Sequence, residues 1–106
     1  VIYMSLQYVK DVLIEELDRK NRAKNAFETR LKEQYAFTQM KIKVISGKEY
    51  IYAYSSNEKK DIYVGKNTKE RKQKMQEFID MRYQLLEELK SVKSDIHILE
   101  KMINMI

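Results

Sequence analysis

The C-terminal third of the chain carries a heptad seam, and this seam constrains the fold more than any other feature. Between residues 75 and 106 the apolar positions alternate steps of three and four residues over more than four heptads, which is the a/d pattern of a coiled coil. Nine of its ten positions are apolar, and Arg82 is the exception. The apolar seam positions are Met75, Phe78, Leu85, Leu89, Val92, Ile96, Leu99, Ile103 and Ile106.

A helix with such a seam needs a partner. Burying its apolar side chains is worth on the order of 15–25 kcal/mol as an upper bound, whereas ordering the helix costs about 1–2 kcal/mol per residue in backbone entropy. Leu86 and Met102 widen the apolar strip at its flanks. We therefore expect either a homodimer, with the seam as the contact, or a further layer of the same chain folded onto the helix.

A first helix is predicted over about residues 5–37, with Ser5 as a candidate N-cap. The C-terminal helix is predicted over about residues 67–106, with Asn67 as the N-cap and Glu70 at capping-box spacing. Four acids of the first helix are candidate partners for the seam arginine: Asp11, Glu15, Glu16 and Asp18.

Between the helices, over about residues 40–65, the apolar period changes to two, which predicts three strands. Gly47-Lys48 as loop residues predict a type II′ turn. This turn sets Ile45 opposite Tyr50 in the first strand pair. A four-residue loop at residues 57–60 is predicted between the second and third strands, and it sets Tyr54 opposite Tyr63. One predicted face is aliphatic, with Met40, Ile42, Val44, Ile51, Ala53, Ile62 and Val64, and the other carries Lys41, Lys43, Tyr50, Tyr52, Tyr54 and Tyr63.

Two segments of this insert resemble β-inserts of known proteins. The segments are Gly47–Tyr54 (GKEYIYAY) and Tyr63–Lys66 (YVGK), set between charged helical segments. They are similar to the β-inserts of small bacterial and phage coiled-coil proteins and, more distantly, resemble the three-stranded arm-binding domains of tyrosine integrases. The resemblance implies a small sheet at this place and no particular activity.

The expected fold class is α+β, mainly α, in a single domain of residues 1–106. Its architecture is a long antiparallel helical hairpin, packed as a coiled coil, with a three-stranded antiparallel β-meander inserted at one end. The aliphatic face of the meander is expected to pack on the helices.

Positive charge is concentrated in the insert. Residues 41–72 hold nine bases and four acids, a net +5 that equals the charge of the whole chain. Such a concentration is typical of a surface that binds anions, and tyrosine rings can stack on nucleic-acid bases. The candidate nucleic-acid-binding residues are Lys41, Lys43, Lys48, Tyr50, Tyr52, Tyr54, Lys59, Lys60, Tyr63 and Lys66.

The residues for catalysis or metal binding are not arranged in any known pattern. The chain has no cysteine, and its one histidine, His97, is predicted to point away from the seam. The Glu-x-x-His spacing of helical metal sites is absent from the second helix. We expect no enzyme activity, no metal, no cofactor and no small-molecule substrate. The lack of cysteines and of a bilayer-length apolar run favours a cytoplasmic location without membrane contact.

These features leave three functional hypotheses open. The first is a non-enzymatic module, expected to be a homodimer, whose basic sheet binds nucleic acid. The second is an effector or inhibitor that binds an acidic protein surface, such as a phage-encoded antagonist of a host nucleoprotein complex of the anti-CRISPR kind. The third is a structural coiled-coil dimerisation protein, since tyrosine and lysine are also ordinary residues on the exposed face of a small sheet.

Overall fold

The structure, a computed structural model, describes the backbone of residues 2–106 and the side chains from residue 5 onward. The chain is mainly helical, with a three-stranded antiparallel sheet whose strands lie in chain order. Along the described residues, neither helix has an apolar stretch long enough to cross a membrane. The elements are α1 (Ile2–Glu33), β1 (Phe37–Ile45), β2 (Lys48–Ser55), β3 (Lys60–Lys66) and α2 (Lys69–Met105).

The chain divides into two compact units, which we call the helical unit (residues 2–28 and 87–106) and the sheet unit (Thr29–Leu86). Two ion pairs join the helices of the helical unit. Lys20 Nζ lies 3.2 Å from Asp95 Oδ2, and Lys93 Nζ lies 3.9 Å from Glu28 Oε1. Since the later residue of α1 pairs with the earlier residue of α2, the helices run antiparallel within this unit.

The core of the sheet unit lies between β2 and α2. Ile51 and Ala53 are fully buried and form one cluster with Met75 and Ile79. These two residues of α2 are four apart and therefore share one side of the helix. The prediction that the aliphatic face packs on a helix is confirmed for this part of the sheet, whereas Val44, near the β1–β2 turn, is exposed.

Burial along α2 follows most of the predicted seam. Phe78 is an exception, because it is exposed and its neighbour Ile79 is buried instead. Around Phe78, α2 faces the sheet, so the side of the helix that is buried there differs from the side that carries the seam. The centroid of the Phe78 ring lies 5.6 Å from that of the Tyr35 ring. Ile106 is also exposed. The buried or half-buried seam residues are Met75, Leu85, Leu89, Val92, Ile96, Leu99 and Ile103.

The register of the first strand pair differs from the prediction by two residues. The turn consists of Ser46 and Gly47, with φ of 53° and 79°, and positive φ at both central positions defines a type I′ turn. Ile45 therefore pairs with Lys48, and Lys43 pairs with Tyr50. A shift of two residues leaves every side chain on its predicted face, so the two faces form despite the wrong turn.

The second strand pair is displaced in the same way. Its loop is residues 56–59, so that Tyr52 lies opposite Tyr63 and Tyr54 lies opposite Asp61. Beyond Tyr63 the register shifts by one residue, which leaves Val64 as the extra residue of a β-bulge on β3. The predicted pairing of Tyr54 with Tyr63 is therefore wrong.

Both predicted helix caps are wrong as well. α1 begins at Ile2, so Ser5 lies inside the helix. At the start of α2, Thr68 Oγ1 accepts a hydrogen bond of 3.2 Å from the amide of Arg71, which is the bond an N-cap residue makes. Asn67 lies one residue before this cap, and its backbone N–H donates a 3.0 Å hydrogen bond to the Glu49 carbonyl, which continues the strand pairing.

Arg82 has a backbone partner in place of the predicted acids. Its Nη1 donates a 2.7 Å hydrogen bond to the carbonyl of Tyr35, just beyond α1. Asn57 Nδ2 donates a second bond, of 2.6 Å, to the carbonyl of Lys32. The last carbonyls of a helix lack partners within it, so Asn57 satisfies one of those of α1, while Arg82 bonds the segment that follows the helix.

Candidate nucleic-acid interface

Eight of the ten predicted binding residues lie on one face of the sheet. The other two do not. Lys59 is in the β2–β3 turn with φ of 56°, and Lys60 pairs with Ser55 on the opposite face, 3.8 Å from Glu58. We call the eight residues the tyrosine–lysine face: Lys41, Lys43, Lys48, Tyr50, Tyr52, Tyr54, Tyr63 and Lys66.

Three tyrosine rings form a cluster at the centre of this face. The ring centroids of Tyr52 and Tyr63 are 5.6 Å apart with an interplanar angle of 66°, and those of Tyr50 and Tyr63 are 6.1 Å apart at 53°. Such tilted arrangements are favoured between aromatic rings. Together with Ile45 the three rings line an open depression of about 300 Å³. Tyr63 is the most accessible of them, with 55% of its surface exposed.

One carboxylate lies among the lysines of this face. Lys43 Nζ is 3.1 Å from Asp61 Oδ2, and Lys41 Nζ is 3.2 Å from Asp61 Oδ1. The same two ammonium groups lie 4.3 Å and 5.9 Å from the ring centroids of Tyr52 and Tyr54, within cation–π distance. Asp61 therefore holds two of the predicted phosphate-binding lysines against the aromatic rings.

The electrostatics of this cluster favour the ionised carboxylate. Hydrogen bonds from Lys43 and then Lys41 lower the pKa of Asp61 below its ordinary value of 3.8, against a smaller opposing effect of burial. The Asp61 side chain is 22% exposed, and its Oδ1 makes an ionic contact with Lys41 without hydrogen-bond geometry. At neutral pH the three groups together carry a net charge of +1.

Sequence reasoning missed Asp61, although the signal was present. Asp61 stands two positions before Tyr63, and residues two apart on a strand share a face whatever the register. The prediction placed the β2–β3 loop one residue too late and left Asp61 out of the face that carries the lysines and tyrosines.

The remaining lysines of the face are not held by acids. None of the ion pairs among the described residues involves Lys48 or Lys66. Lys66 lies opposite Tyr50, and Lys48 lies opposite Ile45, so both border the depression that the rings line. Four lysines and one aspartate give the face a net charge of +3.

The described side chains contain no group of three or more His, Asp or Glu residues placed to hold a metal ion. His97 is exposed on α2.

Comparisons of the chain with protein families, with curated proteins and with solved structures find no match.

Proposed function

We propose that this protein is a non-enzymatic module that binds single-stranded nucleic acid through its tyrosine–lysine face, in the cytoplasm. The observation that carries the proposal is the exposed Tyr63 ring in an open aromatic depression, with Lys48 and Lys66 beside it. Aromatic platforms next to lysines that neutralise phosphates are the general means by which proteins bind single strands.

The face suits unpaired bases better than a duplex. A base can stack on Tyr63 only when it is free of its complementary strand, and the depression is lined by three tyrosines and Ile45 without an amide side chain to read base edges. The cations are all lysines, which attract phosphate as point charges and lack the bidentate geometry of arginine. We therefore expect binding that depends weakly on base sequence.

Asp61 limits this binding. It competes with phosphate for Lys41 and Lys43, so the charge available to a ligand is the net +3 of the face. For single strands the logarithm of the affinity falls by about 0.7 per neutralised phosphate for each decade of salt. The expected slope for the parent protein is thus about −2.

The test is fluorescence anisotropy of a labelled oligothymidylate, titrated with protein at several salt concentrations. A stacked base contributes about 1–3 kcal/mol when its aromatic partner is replaced by alanine, so Tyr63→Ala is expected to weaken binding about 5- to 150-fold. Tyr83→Ala is the matched control, since Tyr83 is equally exposed but lies on α2, and it should leave the affinity unchanged.

A second variant tests the role of the carboxylate. Asp61→Asn removes one negative charge from the face and frees two lysines, so we expect an affinity increase of about 3- to 10-fold at low salt and a salt slope steeper by about 0.7. An absence of binding by the parent protein, or equal losses for Tyr63→Ala and Tyr83→Ala, would contradict the proposal.

A protein ligand is the second candidate, and one observation favours it. Ile42, Val44 and Ile45 are exposed at the β1–β2 hairpin, and apolar residues at the end of an edge strand are a common contact for another protein. Such an effector or inhibitor would be captured from lysate after nuclease treatment, and Val44→Glu would abolish the capture without changing oligonucleotide binding.

The coiled-coil hairpin is part of this proposal. The burial of Leu85, Leu89 and Ile96 at heptad spacing supports it. Cross-linking of cysteines introduced at positions 20 and 95 with a short bis-maleimide tests the antiparallel packing, because the ion pair between Lys20 and Asp95 places these two positions side by side within the helical unit.

A further inference from the structure

β1 is an edge strand, and one side of it pairs with no other strand of the described chain. The strand order is β1-β2-β3, so only β2 lies beside β1. In an antiparallel pair, residues that exchange hydrogen bonds with the partner strand alternate with residues whose N–H and C=O groups point away from it. The two-residue turn makes Ile45 and Lys48 a hydrogen-bonded pair. The backbone groups of Met40, Ile42 and Val44 therefore point outward, away from β2.

The side chains of these outward residues are apolar, and two of them are exposed. Ile42 is 39% and Val44 is 66% exposed. Lysines on an edge strand usually discourage pairing with another chain, and Lys41 and Lys43 alternate with the outward residues. However, both ammonium groups bind Asp61 on β3, across the width of the sheet, so they lean away from the free edge. The lysines therefore leave this edge open to another strand.

The opposite edge of the sheet, on β3, is less suited to pairing. The bulge at Val64 interrupts the regular spacing of its backbone groups, and the Lys66 carbonyl at its end already accepts a 2.8 Å hydrogen bond from Arg71 Nη1. The β1–β2 register has no shift between Gln39 and Ile45, so β1 has a regular edge over these residues. That length is sufficient for pairing with an added strand.

We propose that β1 binds an extended segment of a partner protein as an added antiparallel strand, and that this segment alternates apolar and acidic residues. Side chains directly opposite each other in a pair share a face of the sheet. The apolar residues of the segment therefore lie beside Ile42 and Val44, and its acidic residues lie on the face that carries Lys41 and Lys43. This mode of binding rests on the second candidate function, a protein ligand, and does not depend on nucleic acid.

Charge favours an acidic segment over a second copy of the chain. An ammonium group has three donors, and the side chains of Lys41 and Lys43 are 41% and 44% exposed, so each can bind a further carboxylate. Residues 29–86 hold thirteen bases and seven acids, a net charge of +6, and two copies joined at β1 would bring these charges together. Residues 1–28 and 87–106 hold eight bases and nine acids, a net charge of −1, which does not offset the repulsion.

The test is the affinity of the full chain for a labelled peptide of sequence Glu-Val-Glu-Val-Glu-Val-Glu, measured by fluorescence anisotropy. In the added strand the valine N–H groups donate to β1, and the glutamate N–H groups point to solvent. N-methylation of the three valines removes those donors and is expected to weaken binding about 10-fold or more. N-methylation of three glutamates gives an isomer of the same charge, which is the matched control and should bind within about 3-fold of the unmethylated peptide.

A proline at position 44 makes the same test from the protein. Val44→Pro removes an outward N–H and leaves the hydrogen bonds between β1 and β2 in place, since proline is tolerated on an edge strand where the missing donor would face solvent. It is expected to weaken binding of the glutamate–valine peptide about 5-fold or more. Val44→Ala keeps the N–H and should have a smaller effect. Circular dichroism verifies that both variants remain folded.

The proposal is overturned if the unmethylated peptide does not bind at about 1 mM, if the two methylated isomers lose affinity equally, or if Val44→Pro leaves the affinity unchanged. A parent chain that sediments as a dimer and becomes a monomer on Val44→Pro also overturns it, because a second copy then covers the edge. Oligothymidylate binding is measured on the same samples and should be unchanged in both variants. A failure of peptide binding is thus distinguishable from a failure of nucleic-acid binding.

Discussion

Both units of this protein contain parts of the same two helices, but they differ in how completely their apolar side chains are buried. In the sheet unit, Ile51 and Ala53 have no exposed surface, because the sheet covers the side of α2 that carries Met75 and Ile79. In the helical unit, Val12 and Ile14 remain exposed on α1. A pair of amphipathic helices therefore leaves apolar surface in water unless a third layer covers it, and the sheet supplies that layer in one unit.

The units also differ in net charge, which is −1 for the helical unit and +6 for the sheet unit. Charge and apolar exposure therefore separate along the chain, with the basic residues in the unit that has the closed core. The positive charge of the sheet unit is the part of this difference on which the proposed binding of nucleic acid depends.

The largest expected effect concerns the closed core. Ile51→Ala removes a fully buried side chain and should lower the free energy of unfolding by about 2–5 kcal/mol. Ile14→Ala, measured at a concentration where the chain is monomeric, should change it by less than about 1 kcal/mol because the side chain is half exposed. Urea unfolding followed by circular dichroism measures both changes in the free energy of unfolding. Equal losses for the two variants would contradict the difference in burial between the units.

Polar contacts, like apolar burial, should contribute more to stability in the sheet unit than in the helical unit. Arg82 makes a charged, partly buried hydrogen bond to the Tyr35 carbonyl, so Arg82→Met is expected to cost about 1.5–3 kcal/mol. Lys20 forms an exposed ion pair with Asp95, so Lys20→Met should cost less than about 1 kcal/mol. A larger loss for Lys20→Met would show that surface charge, and not packing, stabilises the helices.

A smaller loss of stability is expected from substitutions at the start of α2, in the sheet unit. Thr68→Ala removes the N-cap hydrogen bond and is expected to cost about 1 kcal/mol. Asn67→Ala removes only an exposed bond to the Glu49 carboxylate and should cost less. Thermal unfolding of both variants distinguishes the two residues, and the reverse order would restore Asn67 as the cap.

The smallest effect is a pH dependence confined to the sheet unit. Because the folded-state pKa of Asp61 is lowered below 3.8, the stability that this group contributes is fully present above pH 3.8 and is lost as the pH falls through the lower folded-state value. Asp61→Asn should thus be less stable than the parent at about pH 5, and the gap should close towards about pH 2. A gap that does not change with pH would argue against the ion pairs with Lys41 and Lys43.

Much of this architecture is predictable from the pattern of apolar residues. The three-stranded antiparallel meander and the burial of Leu85, Leu89 and Ile96 follow from periods of 2 and 3.5. Details that depend on single residues are less predictable. The turn at Ser46-Gly47 and the cap at Thr68 each lie one residue from the predicted position, because several neighbouring polar residues can satisfy the same backbone groups.

The candidate site was also predictable only in part. Alternation alone places Tyr50 with Tyr52, and Lys41 with Lys43, on one face of their own strand, since the strand period is two. Lys66 is three residues after Tyr63 and reaches the same face only because of the bulge at Val64. The pairing of Asp61 with Lys41 and Lys43 requires the actual register, which depends on the β1–β2 and β2–β3 turns.

The amino-acid sequence by itself determined the class of each element and the sorting of side chains into faces, because these depend on periodicity along a single segment. Only the tertiary structure decided which apolar positions are covered, which acid neutralises which lysine and which side chains close the end of α1. Those outcomes depend on contacts between residues distant in the chain, such as Arg82 with Tyr35, and no local pattern encodes the distance between them.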